Sequence, residues 1–476
     1  SATAFSHTNF TGLLTVDPAT GKVNVTNAKQ AGIYLITVMA FGTDTVSQTF
    51  TLTVTNPDCS EGLFSLEATY AVGSFPAKAG VGDFNLDGIQ DLAIVNRGSL
   101  FLSIQSGNGM GGFTASDDLV LGYYPSSVAI GDLNGDGFQD LAISSYQSDN
   151  VSVKLGNGLG GFNGNLVFNM GDGILDVAIG DFNADGKQDV VTANVISNNV
   201  TIRLGDGKGA FGDSSFFIAG SQPSAVVIGD FNEDGKQDLA VSNQYSNNVS
   251  ILAGNGFGGF GASANINVGM RPIALATGDF NRDGHQDLAS TNSQSQNVSI
   301  ILGDGMGGFS ESTNVAVGIY PSSIAIGDYN GDGKQDFACT NDNSYTVSIR
   351  FGDGAGGFIG NYNMLLATSM PTTIANGDFN GDGLQDIAIT NRESKNFSIY
   401  LGNSPGAGTS TWLGISAAWS TPGNWSSGKV PGSCTRVVVN SGVPFLPVVY
   451  GYENICFSLT LNKGARIRMV KDAKLK

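Results

Sequence analysis

Histidine is almost missing from this chain of 476 residues: His7 and His285 are the only two. Acid–base or nucleophilic catalysis needs a polar constellation that departs from any repeat. With two histidines no Ser-His-Asp or histidine–metal arrangement can be assembled, so the chain is expected not to be an enzyme. Basic residues are also scarce. The 23 Lys and Arg stand against 41 Asp and Glu, a formal net charge of −18, which leaves no basic surface to neutralise phosphates and excludes nucleic acid as a partner. No run of about 18 apolar residues occurs, so no helical membrane span is expected. No leader pattern opens at Ser1, which leaves a cytoplasmic, an already processed or a partial chain. Cysteine stops at four. Cys434 and Cys456 flank one hairpin-like region and form a disulfide candidate, Cys59 has no assigned partner, and Cys339 stands where another copy of the repeat has Ile143, so it is expected to be buried and free.

Glycine, by contrast, is abundant at 68 residues, and the apolar share of 41% is that of a folded protein. The chain is organised around the nine-residue stretch Asp132-Leu133-Asn134-Gly135-Asp136-Gly137-Phe138-Gln139-Asp140. It carries oxygen side chains at positions 1, 3, 5 and 9 and glycine at position 6. Seven such stretches begin at Asp83, Asp132, Asp181, Asp230, Asp279, Asp328 and Asp378, with steps of 49, 49, 49, 49, 49 and 50 residues. A period of this length marks a repeat architecture.

The second repeat shows the unit. Ser127 to Gly131 is a short apolar strand running into the acidic stretch, and Asp140 to Ser145 leaves it as a second strand. Asn150 to Leu155 alternates, with Val151, Val153 and Leu155 on one face. A glycine turn then ends at Phe162, which opens a fourth strand. Four antiparallel strands repeated around a ring form a β-propeller blade. Phe113, Phe162, Phe211, Phe260, Phe309 and Phe358 open fourth strands at intervals of 49 residues, and one further step back lands on Phe64. The seventh unit stops at Leu401 without a fourth strand. The sequence therefore predicts an all-β fold in which Phe64 to Gly73 completes the last of seven blades and removes the exposed edge. The repeated Phe is expected to anchor neighbouring blades. Asn150, Asn199, Asn248, Asn297 and Asn396 each open an Asn-x-Ser/Thr, which is read as a strand-opening residue rather than as a glycan acceptor.

A hard cation such as Ca²⁺ takes six to eight oxygens, and a short loop can supply them from alternating positions. In the first loop these are the side chains of Asp83, Asn85, Asp87 and Asp91 and the carbonyl of Ile89. The same places hold Asp132, Asn134, Asp136, Phe138 and Asp140 in the second loop, and Asp181, Asn183, Asp185, Lys187 and Asp189 in the third. They hold Asp230, Asn232, Asp234, Lys236 and Asp238 in the fourth, and Asp279, Asn281, Asp283, His285 and Asp287 in the fifth. Asp328, Asn330, Asp332, Lys334 and Asp336 follow in the sixth, and Asp378, Asn380, Asp382, Leu384 and Asp386 in the seventh. His285 lies where only a backbone carbonyl would coordinate, so its ring is expected to be exposed. Asx turns explain one or two acidic positions per loop, but not three carboxylates whose mutual repulsion is uncompensated. The aspartates at positions 1, 5 and 9 are 21 of the 41 acidic residues, and seven divalent cations would bring the formal charge from −18 to −4. About seven calcium ions are expected.

Gly-Asp-Phe-Asn-x-Asp-Gly-x-x-Asp, followed by an aliphatic strand and Gly-Asp-Gly-x-Gly-Gly-Phe, resembles the FG-GAP or VCBS repeats, the type that also builds integrin α propellers. The resemblance covers residues 59–403. It implies a seven-bladed propeller with calcium in the loops and an extracellular role in adhesion or ligand binding. The integrin loop more often has Asp at its third position, where all seven loops here have Asn.

Residues 1–58 carry β-branched runs at Ile33 to Met39 and Thr49 to Thr55 and a hairpin between Leu13 and Val25. They resemble part of a cadherin-like or immunoglobulin-like module. Residues 409–476 hold all three tryptophans, Trp412, Trp419 and Trp425. They resemble a β-rich module of secreted Bacteroidetes proteins, followed by the first coils of a β-helix-like repeat. The expected function is a non-catalytic, calcium-binding adhesion or ligand-binding propeller at a cell surface or outside the cell, with a protein or glycan partner. Two alternatives stand beside it. One is a fibre subunit polymerising through the terminal β domains; the other is a lectin-like propeller. Arg271, Tyr124 and Tyr320 depart from the repeat, in the connections between strands, and are read as rim residues.

Overall fold

In the computed structural model, residues 63–403 are described except for 117 and 367–369, with residue 361 as backbone only; outside them the strand backbones alone are described. Phe64–Asn403 forms one compact unit of seven four-stranded antiparallel blades. Blade 1 runs through Pro76–Gly82, Asp91–Asn96, Phe101–Gly107 and an outer strand broken into Phe113–Ala115 and Leu119–Val120. Blades 2 to 6 repeat the pattern from first strands Pro125–Gly131, Ile174–Gly180, Pro223–Gly229, Pro272–Gly278 and Pro321–Gly327. Each first strand packs beside the next around the axis, and Pro371–Gly377 of blade 7 meets Pro76–Gly82.

The closure expected from the phenylalanine spacing is observed. Phe64–Ala71 pairs antiparallel with Asn396–Gly402, Phe64 opposite Gly402 and Ala71 opposite Asn396, so the strand that precedes blade 1 in the chain fills the outer edge of the last blade. In blades 4 and 5 the phenylalanine precedes the outer strand and makes isolated bridges, Phe260 with Gly254 and Phe309 with Gly303.

Every second strand is buried along its whole length, whereas outer strands such as Phe162–Asn169 are largely exposed. The cores lie between blades, as in sheet-on-sheet packing. Phe182, Val191 and Ile202 of blade 3 meet Val226, Leu239 and Leu252 of blade 4. Leu92, Ile94 and Phe113 of blade 1 meet Phe379, Phe397 and Ile399 of blade 7. The repeated Phe does anchor neighbours: Phe162 stands edge-on to Phe84 at 5.4 Å, Phe260 to Phe182 at 5.7 Å and Phe358 to Phe280 at 5.5 Å. Cys339 is buried and free. Four of the five strand-opening asparagines accept hydrogen bonds inside the blades: the Nδ2 groups of Asn194, Asn243, Asn292 and Asn391 donate to Asn199, Asn248, Asn297 and Asn396 at 2.8–2.9 Å, whereas the Oδ1 of Asn150 is buried without a partner.

Before the propeller, Ala2–Ser6 and Thr45–Val54 flank Gly32–Phe41 in an antiparallel sheet, and Leu13–Val16 pairs with Val23–Thr26. After it, Ser410–Thr411 and Ser458–Leu461 pair in parallel with Arg436–Val439, and short parallel pairs link Val448–Val449 to Arg468–Met469 and Tyr452–Glu453 to Lys474–Leu475. Cys59, Cys434, Cys456 and the three tryptophans lie outside the described residues.

Candidate functional site

All seven acidic loops are tips between first and second strands, so they share one face of the ring. Their internal geometry repeats closely. The N–H of position 5 donates to both the position-1 carboxylate and the position-3 amide oxygen, as from Asp136 to Asp132 at 3.1 Å and to Asn134 at 2.9 Å. The position-6 N–H reaches the other oxygen of position 1, and the position-7 N–H reaches position 5; for Gly137 and Phe138 both distances are 2.9 Å. Position 6 is glycine because the chain turns left-handed there, with φ of 85° at Gly137 and 90° at Gly284. The oxygens of positions 1, 3 and 5 are thus gathered inside one tight loop. They are turned towards its own amides, and among the described residues no three acidic, histidine or cysteine side chains converge on one point.

Position 9 makes different contacts. Asp140 is fully buried, its Oδ2 accepting from Leu133 N at 2.9 Å and its Oδ1 from Gly156 N at 2.8 Å, where the third strand ends. The carboxylate therefore ties three strands together. Burial is the main cause that raises the pKa of this aspartate in all seven loops; the two amides oppose it, and the carboxylates at positions 1 and 5 add to it. Asp189 and Asp386 are pushed up to about 6 and Asp336 to about 7.

In three loops the residue at position 7 supplies a cation of its own. Lys187, Lys236 and Lys334 reach the position-5 carboxylates of Asp185, Asp234 and Asp332 at 3.0, 2.8 and 2.7 Å. His285 points instead to the preceding loop, where its Nδ1 meets Glu233 at 2.6 Å; that contact raises its pKa, and the side chain is partly exposed.

Two connections between blades were not singled out by the sequence reading. Glutamine occupies position 8 in every loop, and in three of them its Oε1 accepts a hydrogen bond from the preceding blade, whereas Oε1 of Gln90, Gln188 and Gln237 is buried without a partner and that of Gln385 accepts from Asn376 of its own blade. Gln139 accepts from Asp83 N at 2.8 Å, Gln286 from Asp230 N at 3.0 Å and Gln335 from Asp279 N at 2.6 Å. The glycine turn does the same with its backbone: Gly160 N donates to Phe84 O at 2.9 Å, and Gly111 N to Phe379 O at 3.0 Å across the closure. Both glutamine and glycine repeat seven or six times in sequence, but their partners lie a whole period away.

The opposite face holds the turns between second and third strands and the connections into each first strand. Two of its positions differ from blade to blade. The residue before the first strand is Phe75, Tyr124, Gly173, Gln222, Arg271, Tyr320 or Met370, and the residue after the second strand is Arg97, Tyr146, Val195, Gln244, Ser293, Asp342 or Arg392. A backbone hydrogen bond of 2.8–3.0 Å joins the two in every blade. Phe75, Tyr124, Gln222, Arg271 and Tyr320 all have φ between 54° and 60°, although none is glycine. Blades 1 to 5 together line a cleft of about 590 Å³ over the axis, its walls including Arg97, Tyr124, Tyr146, Gln222, Gln244 and Arg271.

Among solved structures, the chain is similar to BBS1N in its complex with ARL6DN, at 11% identity and a TM-score of 0.53 over 72% of this chain and 98% of that one. It is similar to a protein from Lactobacillus plantarum at 12% identity and 0.51, over 71% and 93%. A weaker likeness, at 13% identity and 0.42 over 84% and 85%, is to a Bacillus licheniformis rhamnogalacturonan lyase. At these identities the first two likenesses show the propeller fold. No curated protein matches the chain. The FG-GAP-like repeat matches residues 83–143, 132–192, 181–241, 230–290, 279–339 and 328–389, and the FG-GAP repeat matches 370–411. These matches span more than half of the chain, which belongs to the FG-GAP repeat family as a seven-bladed β-propeller.

Proposed function

We propose that this propeller is a non-catalytic, calcium-stabilised ligand-binding module that serves adhesion at a cell surface or outside the cell. The observation that carries the proposal is the division between its faces. One face repeats a single oxygen-rich loop seven times; the other varies its rim side chains, with six residue types in seven blades at each of two positions. Repetition suits a scaffold role, and variation suits recognition. The loop donors are hard oxygens throughout, which suits calcium rather than zinc or copper. In the second loop Asp132, Asn134, Asp136, Asp140 and the carbonyl of Phe138 would hold the ion. A bound divalent cation would offset the repulsion among three carboxylates. Asp140 and its counterparts already join the first three strands of each blade, so an ion there would lock the blade at its tip. Sites of this type in extracellular modules bind at roughly 10⁻⁴ to 10⁻³ M, a range filled only where calcium is millimolar. Neither carboxylate nor imidazole lines the axial cleft, which favours binding over acid–base chemistry.

The test is calorimetric titration of chelator-treated protein with calcium chloride. About seven ions per chain are expected, with the three lysine-bearing loops filling last. No saturable binding up to several millimolar calcium would overturn the proposal.

A further inference from the structure

Arg97 and Arg271 are cations without carboxylate partners in a strongly acidic protein. Among the described residues neither guanidinium reaches an Asp or Glu. Arg97 Nε is buried and has no hydrogen-bond partner. Arg271 donates only a long bond, 3.3 Å from Nε to Gln244 Oε1, and stands 5.9 Å from the ring centre of Tyr320. Arg97 is half-buried with this one buried N–H unpaired, and Arg271 is exposed; a buried donor left unpaired is unfavourable unless a ligand completes it. Both line the one axial cleft, with Tyr124 and Tyr146 as aromatic walls and Gln222 and Gln244 as amide donors and acceptors.

The backbone beneath this cleft is under load. Tyr124, Gln222 and Arg271 sit at left-handed φ of 57–58°, each immediately before a proline, where blade 3 uses Gly173 instead. For such residues the conformation costs roughly 1 kcal/mol each. Gln222 and Arg271 are clamped there from both sides: Gln222 N donates to Asn198 Oδ1 at 2.8 Å and Arg271 N to Asn247 Oδ1 at 2.9 Å, while their carbonyls accept from Gln244 and Ser293 at 2.9 Å. Glycine would remove the strain and lose the side chain. Phe75 and Tyr320 adopt the same conformation, so it belongs to the repeat; in blades 2, 4 and 5 it sets Tyr, Gln and Arg on the wall of the cleft.

We infer that the axial cleft binds an acidic sugar, with its carboxylate taken by Arg97 and Arg271 and its ring laid against Tyr124 and Tyr146. Guanidinium groups pair with carboxylates through paired, charge-assisted hydrogen bonds. Tyrosine faces and side-chain amides match the C–H faces and hydroxyls of a pyranose, and a cleft of about 590 Å³ is of small-ligand size. The inference rests on the ligand-binding role proposed above and names its site and substrate class. No covalent step is involved.

The experiment is titration of the calcium-loaded chain with hexuronate di- and tetrasaccharides, with the neutral hexose counterparts and an aspartate-rich peptide as comparisons. Saturable binding of the uronates is expected, with loss of about tenfold or more for the neutral sugars. Arg97→Gln and Arg271→Gln should each weaken binding by a similar factor, with calcium stoichiometry and thermal midpoint unchanged. Arg97→Lys should rescue only part of the loss, because ammonium lacks the paired geometry. Uronate binding that survives both glutamine variants would overturn the site, and tighter binding of the peptide would overturn the sugar assignment. A chain that binds seven calcium ions but no uronate would overturn this inference and leave the calcium scaffold standing.

Discussion

The aspartate at position 9 carries more of the structure than its neighbours in the loop. Asp238, for example, accepts from Phe231 N at 3.1 Å and Gly254 N at 2.7 Å. Asp238→Ala leaves two buried amides unpaired, and a loss of roughly 2–5 kcal/mol is expected in urea denaturation. Asp238→Asn keeps one acceptor and should lose about half as much; equal losses for the two would contradict the double role. The same carboxyls set a pH dependence in chelated protein. An unfolded Asp titrates near about 3.9, whereas Asp189 and Asp386 are raised to about 6 and Asp336 to about 7. The folded state then holds these protons more tightly than the unfolded one. Their stabilisation is complete below about pH 4 and is lost as the pH rises through about 6 to 7. In EDTA the thermal midpoint should therefore fall across that window, and calcium should remove the fall. A midpoint that rises with pH in EDTA would contradict the assignment.

Among the loops as elements, blades 3, 4 and 6 stand apart, because Lys187, Lys236 and Lys334 already neutralise the position-5 carboxylate. Replacing all three with methionine should tighten calcium binding at those sites by roughly twofold to fivefold, the scale of an exposed ion pair. Unchanged titration isotherms would show that the lysines do not compete. The outer strand of blade 7 makes a second prediction. A chain lacking residues 1–71 keeps all seven acidic loops but exposes the edge of Asn396–Gly402, which Phe64–Ala71 covers. It should lose its single cooperative transition or self-associate; a monomer melting as before would contradict strand closure. The blades and their closure were legible in the sequence because each depends on short-range order: a period, a strand pattern and a count of phenylalanines. Gln139 and its counterparts repeat as faithfully, yet their role was not legible, since the partner N–H of Asp83 lies 56 residues away. Arg97 was harder still. Only Arg392 of blade 7 shares its residue type at that position, and Arg97 gains meaning from Tyr124 and Arg271 of other blades.

For the whole molecule, the ring separates two kinds of sequence on two faces. Positions that hold the blades together are nearly identical in every copy; positions that face the axial cleft are not. Tyr124, Tyr320 and Arg271 could be seen to depart from the repeat, but only the folded ring sets them on one rim and Tyr124 and Arg271 in one cleft. The central claim is that the acidic face is a calcium clamp. Occupied sites stabilise the folded state by mass action, roughly 0.4–1.4 kcal/mol per loop at millimolar calcium. Differential scanning calorimetry at pH 7.4, in millimolar calcium and again in excess EDTA, tests this most directly. The account predicts a midpoint lower by roughly 5 °C or more in EDTA, restored when calcium is returned; superimposable transitions would contradict it.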